Sequence, residues 1–351
     1  MSANRCAKQK RLRNSDVNKN SKGREHTFEP GYRKLLHSGE LSRRITRAYK
    51  ILSCCTLCPR HCKANRLQGE KGFCGGGNTL EIAHYGPHFG EEPPLTGEKG
   101  AGTIFFTHCN LKCSFCQNHH LSHEGVGYPI SEEKLGEIML HLQTLGCHNI
   151  DLVTPSHFLP FVLKALSLAA TQGLRIPLVY NSSGYESPET LKLLEGIIDI
   201  YLPDWKYAEE SVGNLYSNAP DYPSVCQAAV KEMYHQVGDV TVDDKEIALR
   251  GLIIRHLVLP HHLTNSEKVL ALIRAAFPRS IRLSLMSQYA PRFRAHDHSL
   301  INRPLHQEEY QKIQTTMERL EFEEYWIQEL ESQEMFFPDF KSTNPFSLPK
   351  V

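Results

Sequence analysis

A chain of 351 residues with 40% hydrophobic side chains has ample material for a sizeable core, in one large domain or two modest ones. Its longest apolar stretches, such as residues 257–260 and 269–277, fall far short of a membrane span, and no apolar signal core follows Met1, so a cytoplasmic protein is expected. The formal net charge is +1, but residues 1–25 hold eight basic side chains against Asp16 and Glu25, which leaves residues 26–351 at about −5 and argues against a broad nucleic-acid-binding face.

The polar, aromatic-free start reads as a disordered basic tail over residues 1–30, with a nuclear-type signal at 8–13 as the alternative to plain solvation. Residues 32–52 then place Leu35, Leu36, Leu41, Ile45 and Ile51 at helical spacing. Next stand Cys55, Cys58, Cys62 and Cys74 in the spacing C-x2-C-x3-C-x11-C, followed by Gly75, Gly76 and Gly77. Four thiolates so spaced saturate a tetrahedral zinc or hold an iron–sulfur cluster, with His61 as a substitute ligand; four unliganded thiols in a loop-rich segment are the alternative. Residues 31–100 are therefore read as one helix plus a cysteine-rich metal-binding segment. Cys6, Cys54, Cys147 and Cys226 stand apart from any ligand group. Eleven cysteines, an odd number set at ligand-like spacings, suit a reducing compartment rather than a disulfide framework.

From residue 103 strands and helices alternate. Strands are expected at 103–107, 150–153, 177–180, 198–202, 252–259 and 281–286, with a short hairpin at 240–249. Between them fall a helix capped by Ser131 and closed at Gly146, another over 158–172 stopped by Gly173, and one capped by Ser187 with Pro188 at its first position. A fourth ends near Gln236, and the capping box Thr264-Asn-Ser-Glu267 opens a fifth. Six strand–helix units imply an α/β fold with a parallel sheet and right-handed connections, with residues 101–291 as the core and 292–351 as a C-terminal extension.

Directly after the strand at 103–107, Cys109, Cys113 and Cys116 form a C-x3-C-x2-C triplet. Three thiolates are one short of a closed site, so a four-iron four-sulfur cluster on them keeps one iron open to a ligand. Part of a zinc site, with His108 or His119 as fourth ligand, and small buried hydrophobes are the alternatives. The triplet sits at the carboxyl end of a strand, where α/β enzymes place their chemistry. On these residues the chain resembles the radical S-adenosylmethionine (SAM) superfamily. With Cys-Thr-Leu-Cys-Pro-Arg (55–60), Asn-Ser-Ser-Gly-Tyr-Glu (181–186) and Asp-Trp-Lys (204–206) it is similar to proteins related to pyruvate formate-lyase-activating enzyme.

The resemblance implies a partial (β/α)6 barrel, a 4Fe-4S cluster on Cys109, Cys113 and Cys116, and SAM on the open iron, cleaved reductively to methionine and a 5′-deoxyadenosyl radical. It implies a one-electron donor such as flavodoxin or ferredoxin and, in the manner of a glycyl-radical activase, a protein substrate. It also implies that Phe115 packs on the adenine of SAM, that Asn181 and Ser183 contact SAM, and that Asp204 and Lys206 lie near its carboxylate. Thr154, Ser156 or His157 stands where many superfamily members carry Gly-Gly-Glu on the SAM amino group. A helix cap for Ser156 and an ordinary surface ion pair for Asp204 and Lys206 are the plainer readings. Arg255 is a carboxylate partner in waiting, and Gln288 and Tyr289 are placed to line the mouth. One departure is that the extra cysteines precede the barrel, whereas activating enzymes with additional clusters insert them after the triplet. Radical modification of RNA or of a small metabolite, and a zinc-binding adaptor, are the other functions these residues admit.

Overall fold

Residues 101–106, 150–153, 178–182 and 200–203 are apolar runs too short for helices and buried along almost their whole length, and they form the centre of a parallel sheet. The computed structural model describes residues 9–13, 28–332, 338–342 and 345–346. Its strands are β1 (Gln9–Arg13), β2 (Leu80–His88), β3 (Ala101–Phe106), β4 (Tyr128–Ile130), β5 (Ile150–Val153), β6 (Leu178–Ser182), β7 (Ile200–Pro203), β8 (Thr241–Val242), β9 (Ala248–Leu257), β10 (Arg282–Met286) and β11 (Glu324–Gln328). They join in the order β1-β11-β10-β9-β7-β6-β5-β3-β2-β4, with β8 on β9. Strands β3, β5, β6, β7, β9, β10 and β11 run parallel to their neighbours in that series, while β1, β2, β4 and β8 pair antiparallel. The fold is thus α/β on a mostly parallel mixed sheet.

All six expected strands are present, and the sheet extends beyond them on both sides. On one side β2, from the segment expected to hold only a helix and cysteines, pairs with β3. On the other, β11 continues the parallel series out of the expected C-terminal extension; the helix Gln307–Arg319 precedes it, so one more helix–strand unit is built there. Within the expected disordered tail, Gln9–Arg13 instead takes the edge that β11 leaves unpaired, because an open strand edge offers backbone groups to any extended segment. Residues 1–8 and 14–27 lie outside the described residues.

The expected helix at 32–52 is broken in two, Gly31–His37 and Glu40–Ile51, because Gly39 takes a left-handed φ of 73°. Both pieces dock on the body. Tyr32 Oη donates to Ile176 O at 3.0 Å, and Tyr49 Oη to Glu132 Oε1 at 2.6 Å. Gly31 is a close approach: a Cβ there would stand 2.3 Å from Gly196 O. Ser131 caps the helix Glu132–Thr144 as expected, by accepting from Lys134 N. The capping box at 264–267 does not form. The helix Leu263–Ala276 begins one residue earlier, and Asn265 and Ser266 turn inward to Ala208, Lys206 and His256. No helix among the described residues is long and apolar enough to cross a membrane.

Candidate functional site

The parallel strands all point their carboxyl ends toward one cavity of about 230 Å³, lined from β3, β5, β6, β7, β9, β10 and β11 or the loops that follow them. Leaving β3, the chain bends through His108 and Lys112, both at left-handed φ (66° and 60°), and presents Cys109, Cys113 and Cys116 to this cavity. The loop is held from outside. Ser114 N donates to Tyr216 O at 2.7 Å, Asn110 Nδ2 to Tyr185 O at 2.8 Å, and Arg60 Nε to Asn110 O at 2.9 Å. Ser217 Oγ donates to the Cys113 sulfur and Ser122 Oγ to the Cys116 sulfur, each at 3.1 Å. Burial, then the neighbouring Cys113 sulfur, pushes the Cys109 thiol up to about 11 and the Cys116 thiol up to about 12. Burial thus disfavours the thiolate form, whereas hydroxyl donors aimed at the sulfurs favour it.

Across the cavity runs a buried chain of charges. Asp204 holds Lys206 Nζ through Oδ2 at 2.7 Å and Arg255 Nε through Oδ1 at 2.8 Å. Arg255 also reaches Glu91 Oε2 at 3.2 Å and Asn181 Oδ1 at 2.5 Å, and Asn181 Nδ2 donates to Asp151 Oδ2 at 3.3 Å. Burial alone would raise Asp204, but Arg255 and Lys206 outweigh it and hold the carboxyl below its ordinary value. Glu91 and Asp151 are pushed up by burial, and Glu92, 2% exposed with no hydrogen-bond partner for Oε2, reaches about 7. Four carboxyls thus face two cations along this wall of the cavity.

The structure also gathers Cys55, Cys58, Cys62 and Cys74. Cys55, Cys58 and Cys74 are buried and Cys62 is exposed. A Cβ on Gly72 would stand 3.0 Å from the Cys62 sulfur and 3.6 Å from the Cys74 sulfur, so both converge on that glycine, and Gly76 N donates to the Cys74 sulfur at 3.3 Å. Burial, with Cys74 and Cys55 nearby, pushes the Cys58 thiol up to about 12. Arg66 bolts this segment to the turn after β5: its guanidinium donates to Gly77 O within the segment and to His157 O in that turn.

No protein-family model matches the chain. Over 285 residues it is 30% identical to uncharacterized protein MJ0674 of Methanocaldococcus jannaschii, an alignment that covers 78% of this chain and 76% of that one. The chain belongs to the same family as this archaeal protein. The relative's name carries no activity, so what the site does is argued from its residues.

Of the residues singled out in the sequence, Phe115, Thr154, Asn181, Ser183, Asp204 and Lys206 line the cavity with the triplet. Asp204 and Lys206 form a partly buried pair at the cavity wall rather than a freely exposed surface one. Phe115 is wedged edge-on against Tyr289 and Tyr216. His157 is not among the lining residues: it is buried behind β3, where Nε2 meets Thr107 O at 2.7 Å. Ser156 caps no helix; its hydroxyl donates to Glu186 Oε1 at 2.5 Å. His256 likewise serves the core, between Trp205 O and Ser266 Oγ. Sequence reasoning missed Glu91, Glu92 and Asp151. An aspartate inside the apolar strand Ile150–Val153, and paired glutamates before Pro93-Pro94, were the available signals, since carboxyls are rarely buried without a purpose.

Proposed function

We propose that this chain is a radical SAM iron–sulfur enzyme related in design to glycyl-radical activating enzymes. The observation that carries the reading is that the C-x3-C-x2-C triplet, Phe115 and the Asp204–Lys206–Arg255 chain line one cavity at the carboxyl ends of the parallel strands. On this reading β3, β5, β6, β7, β9 and β10 are the six strands of a partial barrel, and Cys109, Cys113 and Cys116 hold a 4Fe-4S cluster. The residues present fit that group: three thiols on one loop, two of them accepting from serine hydroxyls, with cationic side chains across the cavity. The bound cluster and SAM supply one-electron reductive cleavage of the sulfonium. The protein binds and orients. Lys206 and Arg255 offer cationic hydrogen bonds to a carboxylate, Asp204 fixes both, Asn181 and Ser183 stand at the adjoining strand end, and Phe115 gives an apolar face to a flat ring. The Cys55, Cys58, Cys62 and Cys74 group is read as a second metal centre, zinc or another cluster. A flavodoxin- or ferredoxin-like donor and a protein substrate complete the proposal, and the free thiols suit a reducing cytoplasm.

The test is anaerobic reconstitution with iron and sulfide, followed by reduction in the presence of SAM. The wild-type chain is expected to show iron–sulfur absorption and to release 5′-deoxyadenosine, and Cys109→Ala, Cys113→Ala and Cys116→Ala each to lose both. A chain that takes up only zinc and leaves SAM intact would refute the reading in favour of a zinc-binding adaptor.

A further inference from the structure

The short helix His119–Ser122, which follows the triplet, belongs to a side-chain cluster that the reading above leaves unused. One ring nitrogen each of His119 and His120 and one carboxylate oxygen of Glu124 lie within 4.8 Å of one another. His119 Nε2 is 3.9 Å from Glu124 Oε1, and the two imidazole rings are 4.2 Å apart between centroids. Backbone bonds fix the spacing, from Glu124 N to His119 O at 3.2 Å and from Val126 N to His120 O at 2.8 Å. A second carboxylate approaches from the far end of the chain, with Asp339 Oδ1 4.0 Å from His120 Nδ1.

These separations are too long for hydrogen bonds. They exceed by only about half an ångström the ~3.4 Å between neighbouring ligands on a tetrahedral ion with bonds of about 2.0–2.1 Å. The two oxygens of Glu124 are divided between tasks. Oε1 faces His119, while Oε2 is held by Lys341 Nζ at 2.9 Å, which is the support a ligating carboxylate needs. His119 has its other nitrogen, Nδ1, buried in the protein, so Nε2 is the one presented. Two imidazoles with a carboxylate form a nitrogen–oxygen set that selects borderline transition metals over calcium or magnesium.

We propose that His119, His120 and Glu124 bind a zinc-class divalent ion, with Asp339 standing beside His120. By fixing His120 and Glu124, which meet Asp339 and Lys341, the ion steadies the segment 338–342 against the loop that carries the cysteine triplet. That segment matters to the cavity: Pro338 lines it, and Phe340 is buried against Phe105 with ring centroids 5.2 Å apart. Metal at this site therefore braces the outer wall of the cavity.

The experiment is equilibrium dialysis of the full chain against zinc, comparing the wild type with His119→Ala/His120→Ala and with Glu124→Gln. Because the readout is a difference between chains, whatever the cysteines hold cancels. The wild type is expected to carry one zinc more per chain than the double variant, and Glu124→Gln to bind that zinc at least about tenfold more weakly, with iron content equal in all three. Cobalt in place of zinc is expected to add ligand-field bands without added thiolate charge transfer. Zinc is expected to slow amide exchange in 338–342 of the wild type alone. Glu124 is exposed, so its variant keeps the test open if the double variant misfolds. Equal zinc content and affinity in the wild type and the Glu124→Gln chain overturn the proposal.

Discussion

Glu92 is the residue whose replacement separates burial from pairing in the charged wall. It lies 2% exposed beside Arg255 and Glu91, yet makes no ion pair among the described residues, and burial lifts its carboxyl from 4.5 to about 7. A carboxyl moved that far has its ionised form disfavoured by roughly 3 kcal/mol in the folded state. Since the folded value lies above the unfolded one, its favourable contribution is fully present below pH 4.5 and is lost as pH rises through about 7. Glu92→Gln keeps the shape and removes the titration. Urea unfolding at matched metal content is therefore expected to show the variant more stable than the wild type at pH 8, by up to about 3 kcal/mol, and nearly equal at about pH 4. Other titrating groups are common to both chains and drop out of the difference. A variant destabilised at pH 8 would show that Glu92 is an ionised partner of Arg255, and a gap independent of pH would show that its titration has no part in stability. Either result refutes the reasoning.

Asp204→Ala and Lys206→Ala are each expected to weaken SAM binding about ten- to a hundredfold, measured by calorimetry, through the loss of roughly 1.5–3 kcal/mol of charged hydrogen bonding, while iron content stays unchanged. Cys55→Ser/Cys58→Ser is expected to remove one metal centre by elemental analysis and to speed amide exchange over residues 53–78, while the triplet's cluster still assembles; a triple-alanine variant at Cys109, Cys113 and Cys116 that holds no metal at all would refute the second centre.

The central strands were legible because residues buried on both faces announce themselves as short apolar runs, and Ile150–Val153 was found to the residue. The additions to the sheet were not, each for a local reason. β2 contains Gly86 and Pro87, which read as a break, and β4 contains Pro129. The β11 run Glu-Tyr-Trp-Ile-Gln stands alone after a charged helix. At the site, residues with a recognisable spacing or strand-end position were found, and those placed by tertiary structure alone were not. Glu91 reaches Arg255 across 164 positions of sequence, a separation that no pattern reports. His157 shows the converse error: a histidine after a strand looked like a ligand, but the turn through Thr154, at φ 59°, sends it behind the sheet.

Arg60, two residues beyond Cys58, donates to the carbonyls of Asn110, Ser217 and Asn218, the last two 157 and 158 positions downstream. During synthesis the cysteine segment is therefore made long before the surface that receives it. Until residue 218 has left the ribosome, the carbonyls that Arg60 binds are not all in place, and the segment cannot take its final seat. Once seated, three of its four thiols are enclosed. The order of translation thus delays the enclosure of this segment until the middle of the chain has folded around it.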